Sequence, residues 1–226
     1  MIVLGVPTLN RYDLLPNLLR SAWAGTVRPD LCVVIDNGGK LKLPQANGDR
    51  TLVQRPGRNL GVGPSWNLLA REYLTGPDDR LLICGDDVTL HPDTIEHLLI
   101  TMSEKDADMA YPGATDNAFS CFMVRAALFE KVGYFDERFY PAYFEDGDFT
   151  RRMTLAGVHA FTAPCGYEHV GSATIKKLSV KELEDHHANF VELRNYYVEK
   201  WGGLPGAERF TEPFDGKPER PNSVSF

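Results

Sequence analysis

No apolar run in the 226-residue chain approaches the ~18 residues a membrane-spanning helix needs. The opening, MIVLGVPTLN, has no basic stretch ahead of its apolar residues and turns polar quickly, so no secretory leader is expected. Cysteine is sparse: Cys32, Cys84, Cys121 and Cys165 are far apart and in apolar contexts, with neither zinc-finger spacing nor a disulfide framework. They read as reduced core residues of a cytoplasmic protein. Positive charge is also short. The formal net charge is −7, which argues against a nucleic-acid binder. An acidic chain that handles an anionic ligand needs a metal ion or local cations. No internal repeat is present. The glycine-rich stretch RNLGVG has no following Gly-Lys-Ser/Thr and no third glycine, so neither phosphate-loop pattern applies.

Enough apolar residue is present (43%) for one sizeable core. IVLGV (2–6), LCVVI (31–35), TLVQR (51–55), RLLIC (80–84) and ADMAYP (107–112) read as strands, short and bounded by turn residues. Between them, 13–24, 64–74 and 93–103 carry helical spacing, the second and third opened by Pro64 and Pro92. This alternation predicts an α/β fold with a mostly parallel sheet flanked by helices. Further on, FSCFMVR (119–125) reads as a strand, AALFEKVG as a short helix and FDERFYPAYF as an aromatic loop. Residues 146–156 read as a helix closed by Gly157, and VHAFTA as a last strand. Ser179 and Glu182 form a capping-box pattern before a helix running to about Lys200. From Gly202 the chain reads as a loose tail.

In open α/β sheets, ligands bind beyond the carboxyl ends of the strands. Polar motifs gather there: PTLNR after the first strand, DNGG after the second, GDD after the fourth. Asp86 and Asp87 suit Mg2+ or Mn2+ shared with substrate phosphates, although Gly-Asp-Asp is also ordinary turn chemistry. In YFEDGDFTRR, Asp146 could cap a helix and Asp148 could pair with Arg151 or Arg152. Glu145 is left without a structural purpose by that reading. A carboxylate at a helix start within an aromatic loop is also placed to act as a general base. His169, in EHVGSAT, could join the carboxylates as a metal ligand or be structural.

In order and spacing, VPTLNR, VIDNGG, RNLGVGPSWN, LLICGDDVTLHPD, FMVRAALFEKVGYFDERF, FEDGDFTRRMTLAG and EHVGSAT resemble a family 2 glycosyltransferase of the GT-A fold. The likeness is nearest the rhamnosyl- and galactofuranosyl-transferase-like branch and covers about residues 2–175. It implies an inverting transfer from a nucleoside-diphosphate sugar, UDP or dTDP, to a glycan, lipid-linked or protein acceptor. By resemblance, Thr8, Asn10 and Arg11 line the nucleotide pocket, Asp36 meets the base, and Asn59 and Gly61 lie near base and ribose. Asp87 matches the metal-binding aspartate of the family's DxD motif and Asp86 its middle position, with His169 completing the shell around Mn2+ or Mg2+. Asp146 matches the catalytic base, and Glu145 orients the acceptor or the loop. Gly85 stands where the motif's first acid would be, and DNGG replaces the more usual DDGS. Tyr140, Tyr143 and Phe144 are offered as stacking faces for a sugar.

The implied organisation is a GT-A domain over 1–178, with a nucleotide-sugar half to about 115 and an acceptor half from 116. A C-terminal helix and tail, 179–226, then pack on the same domain. Three other readings compete. A sugar-phosphate nucleotidyltransferase would need a basic glycine-rich loop after the first strand, which VPTLNRYD lacks. A non-catalytic sugar-nucleotide-binding module would tolerate loss of Asp87 or Asp146. A metal-dependent hydrolase would carry acids at the end of the first strand. Lys176, Lys177 and Lys181 read as a solvated helix start, not a membrane patch.

Overall fold

A computed structural model of the chain describes residues 1–43, 50–113, 118–171 and 180–219, and the side chains of 180–185 are not part of that description. Ser179, Glu182, Lys176, Lys177 and Lys181, read above as a capping box and a basic patch, therefore lie outside the described residues or side chains.

Seven strands form the central sheet: β1 (Ile2–Thr8), β2 (Leu31–Asp36), β3 (Thr51–Gln54), β4 (Arg80–Cys84), β6 (Met109–Pro112), β7 (Cys121–Val124) and β8 (Ala160–Ala163). Their order is β3-β2-β1-β4-β7-β6-β8, and β7 alone runs antiparallel to its neighbours. Successive strand side chains point to opposite faces, and the buried strands feed two cores accordingly. Leu4, Val6, Cys32, Val34, Leu82 and Cys84 join one; Val3, Val33, Ile35, Leu81 and Ile83 join the other. Helices α1 (Leu15–Ala24) and α3 (Thr94–Glu104) cover the first face. Helices α2 (Val62–Tyr73), α4 (Ala126–Val132) and α5 (Glu145–Leu155) cover the second. Both cores are apolar and all four cysteines are reduced, three of them buried.

Two features differ from the sequence expectation. A second, two-stranded sheet pairs β5 (Val88–Leu90) with β9 (Tyr167–His169). Three-residue strands carry too little periodicity to be seen in sequence. The start of the expected strand 119–125 is instead a 3-10 turn, Ala118–Ser120, leading into β7.

Helix α6 (Val180–Trp201) has its own small core of Phe139, Leu193, Tyr196, Tyr197 and Trp201. Buried charges fasten it. Asp148, fully buried, accepts from Trp201 Nε1 at 2.9 Å and Arg152 Nε at 2.9 Å, and pairs with Lys200. Lys200 also reaches Asp136 at 2.7 Å, which accepts from Tyr196 at 3.0 Å and Arg138 at 3.0 Å. Burial alone would raise the Asp136 carboxyl, but Arg138 and Lys200 outweigh it and hold the group well below its usual range. Asp148 thus does more than the helical pairing with Arg152 expected of it. Beyond Gly202 the described chain is tied down. The amides of Arg209 and Phe210 donate to Trp201 O, and Arg151 donates to Phe210 O at 2.7 Å.

Candidate active site

A cavity of about 700 Å³ opens beyond the carboxyl ends of β1 and β4, where the strand order reverses direction around β1. One wall comes from the strand ends: Thr8, Gly85, Asp86 and His169. A second part of the lining comes from the loop before α5, the first turn of α5 and α6: Tyr140, Tyr143, Glu145, Asp146, His186 and Asn189. Trp66 and Phe119 form part of the apolar lining and stack on each other, ring centroids 6.0 Å apart.

At the first wall, Thr8 ends β1 and donates its hydroxyl to Asp86 Oδ2 at 2.6 Å. Burial pushes the Asp86 carboxyl up to about 6; Thr8 opposes the shift and the charge of Asp87 adds to it. His169 is delivered by the β5–β9 pairing, which sets Val88 opposite His169. Its Nε2 lies 3.2 Å from Asp87 Oδ1. Burial alone would raise Asp87, but the hydrogen bond and charge of His169 hold it low, and Asp87 in turn raises His169. A Cβ at Gly85 would lie 3.0 Å from Asp87 Oδ1, the movable end of that side chain. An acid at that position would crowd the Asp87 carboxylate with like charge.

Asp87 faces His169 but lies outside the cavity lining, which His169 joins. Among the described residues no group of three or more His, Cys, Asp or Glu could hold a metal ion. Two ligands suffice for Mg2+ or Mn2+ only where substrate phosphates and water complete the shell. The chemistry of the pair fits that use, one carboxylate and one imidazole. The described cavity lining carries Asp86, Glu145 and Asp146 but no Lys or Arg.

At the second wall, α5 begins one residue earlier than expected. Phe144, at φ 67°, occupies the position before its first turn, and no side chain caps it. Asp146 is therefore not the cap. Its Oδ1 accepts from the Gly147 amide at 2.7 Å within the first turn, where the helix dipole favours a carboxylate. Glu145 is 94% buried, and its Oε2 has no hydrogen-bond partner among the described residues. Tyr143, also at positive φ (88°), hydrogen-bonds His186 Nε2 through its hydroxyl at 2.8 Å. Asn189 donates to Tyr140 O at 3.3 Å. Phe144, expected as a stacking face, instead packs on Phe190 and Tyr197, away from the cavity lining.

The nucleotide residues inferred from sequence divide. Asn59 and Gly61 line the cavity. Asn59 Oδ1 accepts from the Gly61 amide at 2.9 Å, and its carbonyl accepts from Tyr140 at 3.3 Å. Gly61 sits at φ 82°, and a Cβ would lie 2.7 Å from Pro141 O, so this contact of two loops requires glycine. Asp36 does not line the cavity. Its carboxylate accepts from Tyr12 at 2.7 Å, the Gly39 amide at 2.8 Å and the Leu41 amide at 3.0 Å, and faces Arg55 Nε at 3.4 Å. Its neighbour Asn37 lines the cavity instead. Arg11 is buried and bound bidentately to Asp13 at 3.1 Å, within electrostatic reach of Asp86 and Asp87 but outside the lining. Asn10 also lies outside it, with Oδ1 buried and without a hydrogen-bond partner among the described residues. Sequence reasoning missed His186, Asn189 and Trp66. The first two sit in a late helix with no site motif, and the third lies within RNLGVGPSWN, where only Asn59 and Gly61 were singled out.

The architecture resembles solved structures. The chain aligns with S. aureus TarS 1-349 at a TM-score of 0.57, covering 84% of this chain and 70% of that one at 16% identity. TarS 1-349 has also been crystallised with UDP and with UDP-GlcNAc. The chain spans 43% of a longer TarS structure. The mannosyltransferase PcManGT from Pyrobaculum calidifontis, in complex with GDP-Man and Mn2+, aligns at a TM-score of 0.60, covering 87% of this chain and 71% of that one at 14% identity. This is the GT-A fold. No protein-family model matches the sequence, and no curated protein matches it. The cavity lies at the switch point of the sheet, and Asp86, Glu145 and Asp146 all line it.

Proposed function

We propose that the chain is a metal-dependent inverting glycosyltransferase of the family 2 type, closest to its rhamnosyl- and galactofuranosyl-transferase-like branch. It moves a sugar from a nucleoside-diphosphate sugar, UDP or dTDP, to a hydroxyl of a glycan, lipid-linked or protein acceptor. The observation that carries this reading is the convergence of Asp86 and His169 with Glu145 and Asp146 on one cavity at the carboxyl ends of β1 and β4. Complexes of TarS with UDP-GlcNAc and of PcManGT with GDP-Man and Mn2+ support it.

The diphosphate lies over the ends of β1 and β4, with Thr8, Asp86, Asn59 and Gly61 around the nucleotide. Asp87 and His169 hold Mn2+ or Mg2+, which when bound stabilises the charge gathering on the leaving diphosphate. A cation there also answers the absence of Lys and Arg from the described lining. Asp146, on the second wall, takes the proton of the attacking acceptor hydroxyl. That hydroxyl then displaces the diphosphate from the opposite face of the anomeric carbon, inverting it. Tyr140 and Tyr143 present rings against the sugar, and Glu145 orients the acceptor. The proposed workplace is the cytoplasm; no helix among the described residues is long and apolar enough to cross a membrane.

The test is thermal stabilisation by UDP, dTDP and GDP, each with Mn2+, with Mg2+ and with chelator. A ligand at about 100 times its dissociation constant adds about 2.7 kcal/mol. A metal-dependent shift that disappears in Asp87→Ala supports the reading and names the base. Stabilisation by triphosphates alone overturns it in favour of a nucleotidyltransferase.

A further inference from the structure

Glu145 is the buried acid for which neither the fold nor the general-base step has a use. It is 6% exposed and lines the cavity beside Asp146. The backbone amides of Tyr143 and Glu145 itself face its carboxyl, while Oε2 has no partner among the described residues. Asp148, three positions on and fully buried, shows the contrast: it is met by Arg152, Lys200 and Trp201. Among the described residues no cation meets Glu145, and the one charge acting on it is the neighbouring Asp146, of like sign. A carboxylate so placed is costly, and a neutral acid is the stable form. Burial first, and Asp146 second, push its carboxyl up to about 8.

We infer that Glu145 works as a neutral carboxylic acid that donates a hydrogen bond to a sugar hydroxyl bound in the cavity. This rests on the glycosyltransferase reading and deepens it by assigning the second acid. The two adjacent acids then have opposite duties: Asp146 receives a proton from the attacking hydroxyl, and Glu145 keeps its own and reads a second hydroxyl. The terminal torsion of a glutamate is soft, so the proton-bearing oxygen turns towards the cavity at little cost. The surroundings suit a polyol. Tyr140, Tyr143 and Asn189 line the same cavity, and the Asn189 amide donates to Tyr140 O at 3.3 Å. The sugar hydroxyl belongs either to the transferred sugar or to the acceptor, and the two sources separate experimentally.

The first measurement is the infrared difference spectrum of the full chain against Glu145→Gln at neutral pH. A protonated-carboxyl stretch present in the wild type and missing in the variant is expected; its absence overturns the inference. The second compares wild type, Glu145→Gln and Glu145→Ala for affinity towards nucleoside diphosphates, towards UDP-GlcNAc, GDP-Man and dTDP-rhamnose, and for acceptor-dependent turnover of the sugar nucleotide that binds. Alanine should weaken sugar recognition about tenfold, the value of one hydrogen bond, and glutamine should restore most of it because its amide donates in the same place. A loss confined to nucleotide-sugar affinity assigns the hydroxyl to the transferred sugar; a loss confined to turnover assigns it to the acceptor. Glutamine as damaging as alanine, or alanine harmless in both arms, overturns the inference while the glycosyltransferase reading stands. A wild type that binds no nucleotide at all overturns that reading itself.

Discussion

The two walls of the cavity are built by different means. The wall at β1 and β4 is made of residues placed by the sheet. Thr8 ends a strand, Asp86 and Asp87 follow another, and His169 is delivered by a strand pair. The second wall is made of loop and helix residues held by side-chain contacts: Tyr143 to His186, Asn189 to Tyr140, and Asp148 to Trp201 and Lys200. Backbone ladders survive single substitutions, whereas a wall held by side chains depends on each of them. The first wall is therefore expected to lose ligands without moving, and the second to lose geometry.

The largest effect expected on this comparison is at the second wall's proposed base. Asp146→Asn should cut turnover by about 10²–10⁴-fold, the usual contribution of a general base. Nucleoside-diphosphate binding should be unchanged, as titration calorimetry would show. Next comes its anchor. Asp148→Ala leaves Lys200 and Arg152 facing an empty buried site and should cost about 3–5 kcal/mol in urea unfolding. A similar loss from Asp87→Ala would contradict the contrast, because that residue should affect ligands only. Its own effect should be the disappearance of metal-dependent stabilisation, about 2.7 kcal/mol at saturating diphosphate.

The pH dependence of stability differs between the walls in its window, since Asp86 is raised only to about 6. The Glu145 carboxyl sits above its unfolded value of 4.5, at about 8, so the folded state holds more protons between those limits. Stability that depends on this proton is complete below pH 4.5 and is lost as pH rises through about 8. Removing the group in Glu145→Gln should flatten the fall of the unfolding free energy across that window by an amount on the order of a few kcal/mol. The smallest effect belongs to His186→Leu, which removes one partly buried hydrogen bond to Tyr143. About 0.5–1.5 kcal/mol is expected, read by the same unfolding assay.

Legibility in sequence followed the same division. The strands, Asp86, Asp87 and the ED pair stood out because apolar runs ended abruptly in acids. Asp36 misled: a lone aspartate after a strand looks the same whether it faces a ligand or ties its own loop, and here Tyr12 and the amides of Gly39 and Leu41 occupy it. Phe144 misled in the same way, since a left-handed residue turns its side chain where no periodicity predicts.

What the sequence determined by itself is what short-range rules control. Strand and helix periods, breaker residues and the order of motifs specify an α/β chain with acids at strand ends. Tertiary structure alone decided which acids share a cavity, which are spent on buried cations, and that a late helix supplies part of a wall. The physical reason is that these outcomes depend on partners far apart in the chain. Asp148 is neutralised by Lys200, and among the described residues no cation meets Glu145. Three residues apart in sequence and both buried, they differ in the charges that surround them.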